Sequence, residues 1–352
     1  MIKKLLLLIL PFSATAQQNF TEDSVFIRHL ANETMVNGKA YDLLKHLSKN
    51  IGGRLAGSEA YAKAAKWGKQ TLEQLGADTV FLQAAKVPNW KRGKNDFCYI
   101  SAIDGKKQNK PLAMLALGNT IGNAPAIAKG NVMVVNSFAE LEERKAEVKG
   151  KIVLYQVPFN QANILPGKSY GETGMYRSTG ASRAAKYGAI AVMVRSLSSV
   201  NDNHPHTGNQ RYNDSFPKIP AVALGALDAD NLAALCAKQT VEVSLQTHGK
   251  MLPDAIDYNV VAEWRGTEQP DKYLLVGGHL DSWDVNEGAH DDGTGIVQTM
   301  EVLRSLKAMN YQPKHSIRFV LFANEENGIK GAQAYADSAK KRNEQHVFAL
   351  ES

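Results

Sequence analysis

The chain has 352 residues, of which 44% are hydrophobic and 22% charged, and its formal net charge is +6 at pH 7. This composition is ordinary for a globular protein of about two domains, and it excludes a mainly disordered chain. The basic residues are scattered along the sequence rather than gathered into a stripe, so a nucleic-acid-binding protein is not indicated.

The first sixteen residues, MIKKLLLLILPFSATA, place two lysines before an apolar run and end in small residues. This pattern predicts a cleaved secretory signal peptide at residues 1–16, and with it a secreted or periplasmic protein. The apolar run is much shorter than the roughly 18 residues that cross a bilayer. No later segment is long and apolar enough either, so we expect no membrane span.

Segment 17–110 has the pattern of the first part of an α/β domain. Ser58 is the predicted N-cap of a helix and Gly76 its C-terminal stop, and Pro88 is expected to end a strand. The predicted elements are helices over 40–47 and 59–75 and a strand over 79–86.

Segment 111–249 changes to short β-like runs separated by glycine and proline, which predicts a separate small domain. A polar loop over residues 201–215 carries His204 and His206. Because no acidic or thiol partner stands at a recognisable spacing, a solvated loop is favoured there over a metal site. The predicted strands cover 131–135, 151–157, 189–194 and 219–224, and a short helix covers 182–187.

Segment 250–352 alternates strands with helices, which implies a largely parallel sheet. The predicted strands cover 259–264, 273–276, 316–323 and 346–350, and the predicted helices cover 295–309 and 330–342.

Three polar clusters stand where ligands gather in such sheets, beyond the carboxyl ends of strands. They are HLD at 279–281, HDDG at 290–293 and EE at 325–326. Singly, each has an ordinary structural explanation: an aspartate can cap the following helix, glutamates can favour a helix N-terminus, and a histidine can be buried and satisfied. Together, their carboxylates would be costly to collect at one sheet edge without a cation.

A divalent metal would neutralise this cluster, and imidazole with carboxylate oxygens suits zinc better than calcium or magnesium. His279 is the candidate ligand, and Asp281 is placed to accept the proton of its other ring nitrogen. Of Glu325 and Glu326, one can bind metal while the other acts as general base toward a bound water. The sequence lacks the motifs of serine hydrolases, HExxH proteases and dinucleotide-binding oxidoreductases.

These residues give the sequence a resemblance to the M28 family of zinc-dependent exopeptidases, and within it to the carboxypeptidase Q branch. The resemblance lies in GHLDSWD at 278–284, GAHDDG at 288–293 and NEENG at 324–328, with a Gly-Arg-x-x-Gly-Ser motif within 51–58. It implies an α/β, aminopeptidase-like fold with a mostly parallel sheet flanked by helices. It also implies that segment 111–249 is an inserted, β-rich protease-associated domain.

The resemblance further implies two zinc ions and a role for each site residue. His279 would bind one zinc, Asp291 would bridge both, and Glu326 would bind the other. Glu325 would be the base that activates water, and Asp281 the partner of His279.

The family supplies two more ligands, an aspartate and a later histidine. In relatives the aspartate directly follows a Glu-Ser pair like the one that ends this chain, so we expect a C-terminally truncated copy of the catalytic domain. His315 and His346 are poor substitutes for the missing histidine, because each is predicted at the start of a strand.

The expected function is hydrolysis of dipeptides or short peptides by a secreted zinc exopeptidase. The alternatives are an aminopeptidase or a glutaminyl-cyclase-like enzyme of the same fold, or a receptor-like relative without catalysis. A peptide is the expected substrate, and a homodimer is left open.

Overall fold

The structure is a computed structural model that describes residues 21–351, so the predicted signal peptide at 1–16 lies outside the described residues. The helices are α1 (Thr21–Asn37), α2 (Ala40–His46), α3 (Glu59–Gln74), α4 (Phe138–Glu143), α5 (Pro166–Ala185), α6 (Ala226–Cys236), α7 (Thr294–Ala308) and α8 (Lys330–Lys341), with short helical turns at Leu47–Ile51, Lys145–Glu147 and Ala289–Gly293. The strands are β1 (Thr79–Lys91), β2 (Phe97–Ile103), β3 (Lys106–Pro111), β4 (Met114–Ala116), β5 (Ala128–Val135), β6 (Ile152–Tyr155), β7 (Ala191–Arg195), β8 (Ala221–Leu224), β9 (Val241–Gln246), β10 (Lys250–Trp264), β11 (Gln269–His279), β12 (His315–Phe322) and β13 (Gln345–Glu351).

The first sheet has five strands in the order β1, β10, β12, β11 and β13. β11 is parallel to β12 and to β13, but β10 is antiparallel to both β1 and β12. The prediction of a largely parallel sheet was therefore wrong for half of its strand pairs. A helical crossover between neighbouring strands makes them parallel, but β10 follows β1 through the second sheet instead of a single crossover helix, and it lies between β1 and β12.

β1 also continues past Pro88, which was expected to end it. The register with β10 shifts between Val87 and Asn89, and this irregularity accommodates a residue that has no N–H to donate. The longer strand carries the chain from the first sheet toward the second.

Helices cover both faces of the first sheet. α3 and α7 pack Leu72, Ile296 and Met300 against one face, and α8 packs Tyr335 against the other. Each fully buried aliphatic side chain of this kind contributes about 1.5–3 kcal/mol. Ser58 caps α3 by accepting the N–H of Tyr61 at 3.1 Å, which confirms the predicted start of this helix.

The second sheet has eight strands in the order β3, β2, β9, β5, β6, β7, β8 and β4, with parallel pairing from β5 to β8. All of them lie between β1 and β10 in the sequence, and we call residues 97–246 the second-sheet region. In the sequence, the pattern of short β-like runs begins only at residue 111, which lies after β2 and β3. β3 gave no earlier signal because all of its residues are exposed and none forms an apolar pattern.

Helix α5 is much longer than the predicted helix over 182–187. Four glycines between residues 167 and 180 weaken its apolar periodicity and its intrinsic helix propensity. Tertiary packing stabilises the helix instead. Gly180 lets the Tyr155 ring approach closely, and the carbonyl of Gly180 accepts a hydrogen bond from the Tyr155 hydroxyl at 2.9 Å.

Within residues 21–351, none of the helices combines the length and apolar character needed to cross a membrane.

Candidate active site

The three predicted polar clusters converge at the carboxyl-terminal edge of the first sheet. His279 is the last residue of β11, and Glu325 and Glu326 follow the end of the neighbouring parallel strand β12. The turn Ala289–Gly293 brings Asp291 to His279, with 2.9 Å between Asp291 Oδ1 and His279 Nε2. Parallel strands end at the same edge, which is why groups distant in sequence meet here.

Both ring nitrogens of His279 have a partner. Nε2 faces Asp291, and Nδ1 lies 3.1 Å from the backbone carbonyl of Asp281, whereas the Asp281 carboxylate is 3.8 Å away. Burial alone would lower the pKa of His279, but the hydrogen bond to Asp291 and the charges of Asp281 and Asp292 raise it to about 10. The ring is thus oriented through the Asp281 carbonyl rather than the carboxylate.

The Asp281 carboxylate binds the backbone of the two glutamates instead. Its Oδ1 accepts the N–H of Glu325 at 2.9 Å, and its Oδ2 accepts the N–H of Glu326 at 3.1 Å. Asp281 is fully buried, and burial raises its pKa, opposed by His279 and these N–H donors. One side chain therefore fixes where both glutamates stand.

The neighbouring aspartates Asp291 and Asp292 have different surroundings. Asp292 is buried, accepts the N–H of His279 and caps the start of α7 by accepting the N–H of Gly295, both at 3.0 Å. The Asp291 side chain is 68% exposed and faces the cavity. The helix-capping interpretation thus fits Asp292, whereas the Asp291 carboxylate pairs with His279 and faces the cavity.

Arg54 ties the glycine-rich segment 51–58 to this edge. It is fully buried, and its guanidinium donates to the carbonyls of Leu280, Gly288, Gly52 and Glu287 at 2.5–3.3 Å. Burial lowers the pKa of Arg54 to about 10, against the charges of Asp281, Asp292 and Glu326, which raise it. The arginine of the Gly-Arg-x-x-Gly-Ser motif therefore supports the loop between β11 and α7.

Carboxylates dominate the floor of a cavity of about 940 Å³ at this edge. Burial and the neighbouring charges of Asp291 and Asp281 raise the pKa of Glu326 to about 8. Burial also raises the pKa of Glu325 and of Glu351, which lies on the same cavity. None of these three glutamates forms an ion pair with a lysine or arginine among residues 21–351.

The donor chemistry of the floor fits zinc. His279 offers an imidazole nitrogen, Asp291 and Glu326 offer carboxylate oxygens, and a metal ion would relieve their mutual repulsion. Within residues 21–351, however, no three histidine, cysteine, aspartate or glutamate side chains are arranged as a ready ligand set. His315 and His346 stand at strand starts, as expected, and His346 hydrogen bonds Tyr335 at 2.9 Å.

The opposite wall of the cavity comes from the second-sheet region, a contribution that the sequence reasoning missed. It is formed by α5 and by residues 196–220 between β7 and β8, which we call the cover loop. His206 lies on this wall, whereas His204 is exposed and pairs with Asp202 at 3.2 Å. The HPH pattern was a visible signal, but nothing in it indicated proximity to residues 279–326.

Two contacts fix the second-sheet region over the catalytic edge. The Arg92 guanidinium forms a two-pronged ion pair with Asp284 at 2.9–3.1 Å and also reaches Thr207 of the cover loop at 3.3 Å. Asn119 and Asn327 exchange hydrogen bonds at 3.1 and 3.3 Å. The cavity is therefore enclosed by residues from both sheets.

Comparison with known proteins places these features in a family. A family model described as "Peptidase family M28" matches residues 259–352. Carboxypeptidase Q of Xenopus laevis is 38% identical over 322 residues, covering 90% of this chain and 66% of that protein. The chain thus spans about two thirds of the length of this relative.

Solved structures agree with the sequence comparison. A crystal structure of a peptidase M28 precursor from Shewanella amazonensis SB2B matches with a TM-score of 0.88 at 32% identity, covering 94% of this chain and 74% of that chain. BSAP, a zinc aminopeptidase from Bacillus subtilis, matches with a TM-score of 0.62 at 22% identity over 88% of this chain and 67% of its own, which confirms an aminopeptidase-like α/β fold. The chain belongs to peptidase family M28 and is a homologue of carboxypeptidase Q.

Proposed function

We propose that the protein is a zinc-dependent exopeptidase that hydrolyses dipeptides or short peptides. The observation that carries the proposal is the meeting of His279, Asp291, Glu325 and Glu326 in one cavity, where none of the three carboxylates forms an ion pair with a lysine or arginine of the described residues. Membership of peptidase family M28 supports the same chemistry.

Three side chains would hold zinc: His279, Asp291 and Glu326. When bound, zinc supplies a Lewis acid that polarises the scissile carbonyl and lowers the pKa of water. The chain must then hold these ligands in place. The backbone carbonyl of Asp281 orients the ring of His279, and the carboxylate of Asp281 fixes the position of the Glu326 backbone by accepting its N–H.

Glu325 is the proposed general base. It takes a proton from the attacking water and delivers it to the departing amine, which is the usual division of labour for a carboxylate in amide hydrolysis. Burial raises the pKa of Glu325, and a carboxylate with a higher proton affinity accepts the proton of the water more readily. The cover loop forms one wall of the cavity, and a cavity of about 940 Å³ has room for a short peptide.

We also propose that the second-sheet region is a protease-associated domain and that residues 1–16 direct secretion to the periplasm or the medium. The position of the second sheet between β1 and β10 supports the first point. The composition of the leading segment supports the second.

Metal analysis and hydrolysis assays on the purified protein test the proposed function. We expect bound zinc, hydrolysis of unprotected dipeptides, loss of activity with a chelator and recovery on adding zinc. Hydrolysis that continues at the same rate after complete metal removal would refute the proposal.

A further inference from the structure

Two consecutive residues of the second-sheet region touch the segments of the first sheet that carry the catalytic groups. Gly118 packs against the indole ring of Trp283, and Asn119 exchanges hydrogen bonds with Asn327 at 3.1 and 3.3 Å. Asn327 directly follows Glu326 in the sequence. The contacts that dock the second-sheet region therefore adjoin a proposed zinc ligand.

The contact between Gly118 and Trp283 leaves no room for a side chain at residue 118. A Cβ on Gly118 would stand 2.0 Å from Cη2 and 2.3 Å from Cζ3 of the indole. The φ of Gly118 lies outside the left-handed region, so the close approach requires the glycine and the backbone conformation does not. The cover loop holds Gly118 in place, because the Gly118 N–H donates to the carbonyl of Gly208 at 2.8 Å and the Gly118 carbonyl accepts the N–H of Gln210 at 3.1 Å.

The indole ring of Trp283 has little room to move aside. Trp283 is buried and packs with Leu55 and Trp90. The Trp90 ring is fixed in turn, because its Nε1 donates to the carbonyl of Thr120 at 2.8 Å. The Trp283 carbonyl also lies close to the backbone of Gly53, where an added Cβ would stand 3.0 Å from the oxygen. A displacement of the ring is therefore passed to the main chain at residue 283.

The main chain at Trp283 is bound to the Glu326 side chain. The Trp283 N–H donates to Glu326 Oε1 at 3.2 Å, and within residues 21–351 this is the sole hydrogen bond that the Glu326 carboxylate accepts. Such a hydrogen bond orients a metal-binding carboxylate, and its loss typically lowers metal affinity by about 10- to 100-fold. The backbone of Trp283 thus controls the orientation of the Glu326 carboxylate.

We propose that Trp283 is a positioning residue that couples the docking of the second-sheet region to zinc binding at Glu326. Its indole ring contacts Gly118, and its backbone N–H orients the Glu326 carboxylate. Because coupling is reciprocal, zinc bound at Glu326 stabilises the docked position of the second-sheet region. The proposal rests on the zinc-dependent function proposed above, but it concerns affinity for the metal and not hydrolysis.

Gly118→Ala tests the coupling without changing any residue that lines the cavity. The added methyl group meets the indole, so we expect the dissociation constant of one bound zinc ion to rise by about 10- to 100-fold. Competition with a chromophoric zinc chelator measures this constant in the absence of substrate. Gly171→Ala is the matched control and should bind zinc like the wild type, because Gly171 lies on α5 where a Cβ would meet nothing within 4 Å.

Trp283→Phe distinguishes coupling from general destabilisation. Phenylalanine keeps the backbone N–H, and its smaller ring makes room for a methyl group at residue 118. Adding Trp283→Phe to the Gly118→Ala protein should therefore restore most of the lost zinc affinity. Two independent losses would instead add, and the double variant would bind zinc no better than Gly118→Ala alone. That result, or wild-type zinc affinity in Gly118→Ala, would overturn the proposal.

Asn119→Asp loosens the docking without adding volume, so it keeps the test decisive if Gly118→Ala does not fold. Aspartate tolerates the left-handed φ of 64° at residue 119 but cannot donate to the Asn327 carbonyl. We expect zinc to bind about 3- to 10-fold more weakly, and an unchanged affinity would contradict the coupling.

The same measurements separate the coupling from the proposed function. If the wild type binds zinc and Gly118→Ala binds it more weakly, but neither hydrolyses peptides, the coupling stands and the exopeptidase function fails. If the wild type hydrolyses peptides and every variant binds zinc as tightly, the function stands and the coupling fails. A wild type that binds no zinc would refute both.

Discussion

Asp281 positions Glu325 through the backbone and not through its side chain. The Asp281 Oδ1 accepts the Glu325 N–H at 2.9 Å, which leaves the Glu325 carboxylate free to face the cavity. The other oxygen does the same for Glu326 at 3.1 Å. A single buried carboxylate thus links the segment that follows β11 to the segment that follows β12.

Replacing Asp281 by asparagine should therefore displace the backbone of Glu325 and Glu326, although Asp281 itself does not face the cavity. The amide can accept only one of the two backbone N–H groups, and its NH₂ meets the other as donor against donor. We expect a loss of about 1–3 kcal/mol in the free energy of unfolding and a fall in kcat of about 10- to 100-fold. Urea unfolding and steady-state kinetics measure both, with the exposed Asp254→Asn as control. A variant with wild-type kcat would contradict the positioning role.

Glu325→Gln should separate metal binding from catalysis. Since Glu325 is proposed as the base and not as a ligand, zinc content should stay near that of the wild type while kcat falls roughly a thousandfold. Glu326→Gln is the informative companion, because it removes a proposed ligand and should lower zinc content as well. Elemental analysis of both variants beside their kcat values makes the distinction. Full activity in Glu325→Gln would assign the base to another group.

Arg54→Met should be the most damaging of these substitutions to stability. The methionine fills much of the same volume but leaves four carbonyl groups without their donor and several buried carboxylates without a nearby cation. We expect destabilisation by about 3–5 kcal/mol, measured by chemical denaturation. Lys63→Met, on an exposed position of α3, serves as the control. A change below about 1 kcal/mol in the Arg54 variant would mean that the loop between β11 and α7 is held by other contacts.

The sequence predicted the convergence of the site because that convergence follows from a general rule. His279 ends one apolar strand and Glu325 follows the end of another, and these strands, β11 and β12, are parallel neighbours. Spacing alone could not tell Asp291 from Asp292, because both precede a helix and both can cap it, and only the family resemblance singled out Asp291 as a metal ligand. Only the turn Ala289–Gly293 decides that Asp292 receives the N–H groups and Asp291 faces the cavity.

The rest of the cavity depends on tertiary packing that has no local signal. Arg177 lies on a helix whose glycines hide its periodicity, and Arg211 lies in a loop without regular structure. Both reach the site because Arg92 and Asn119 dock the second-sheet region onto the first sheet. The antiparallel pairing of β1 with β10 was missed for a similar reason, since the two strands are separated by the whole second sheet.

A buried ion pair far from the site makes stability depend on pH. Glu344 accepts two hydrogen bonds from Arg318, at 2.6 and 3.0 Å, and one from Arg342 at 2.7 Å. Burial on its own would raise the pKa of Glu344, but these hydrogen bonds outweigh it and lower the pKa from 4.5 to about 2. A carboxyl group whose pKa is lower in the folded than in the unfolded state favours folding only where it is ionised.

The contribution of Glu344 should thus be complete above about pH 4.5 and should disappear as the pH falls toward 2. Glu344→Gln should lower the free energy of unfolding by about 1–3 kcal/mol at pH 7, and the gap to the wild type should narrow steadily below pH 4.5. Urea titrations at pH 7, 4.5 and 3 measure that gap. Glu268→Gln, which breaks an exposed pair with Lys314, should change little at any pH. A gap that is the same at pH 3 and pH 7 would show that the Glu344 carboxylate does not owe its stabilising effect to its charge.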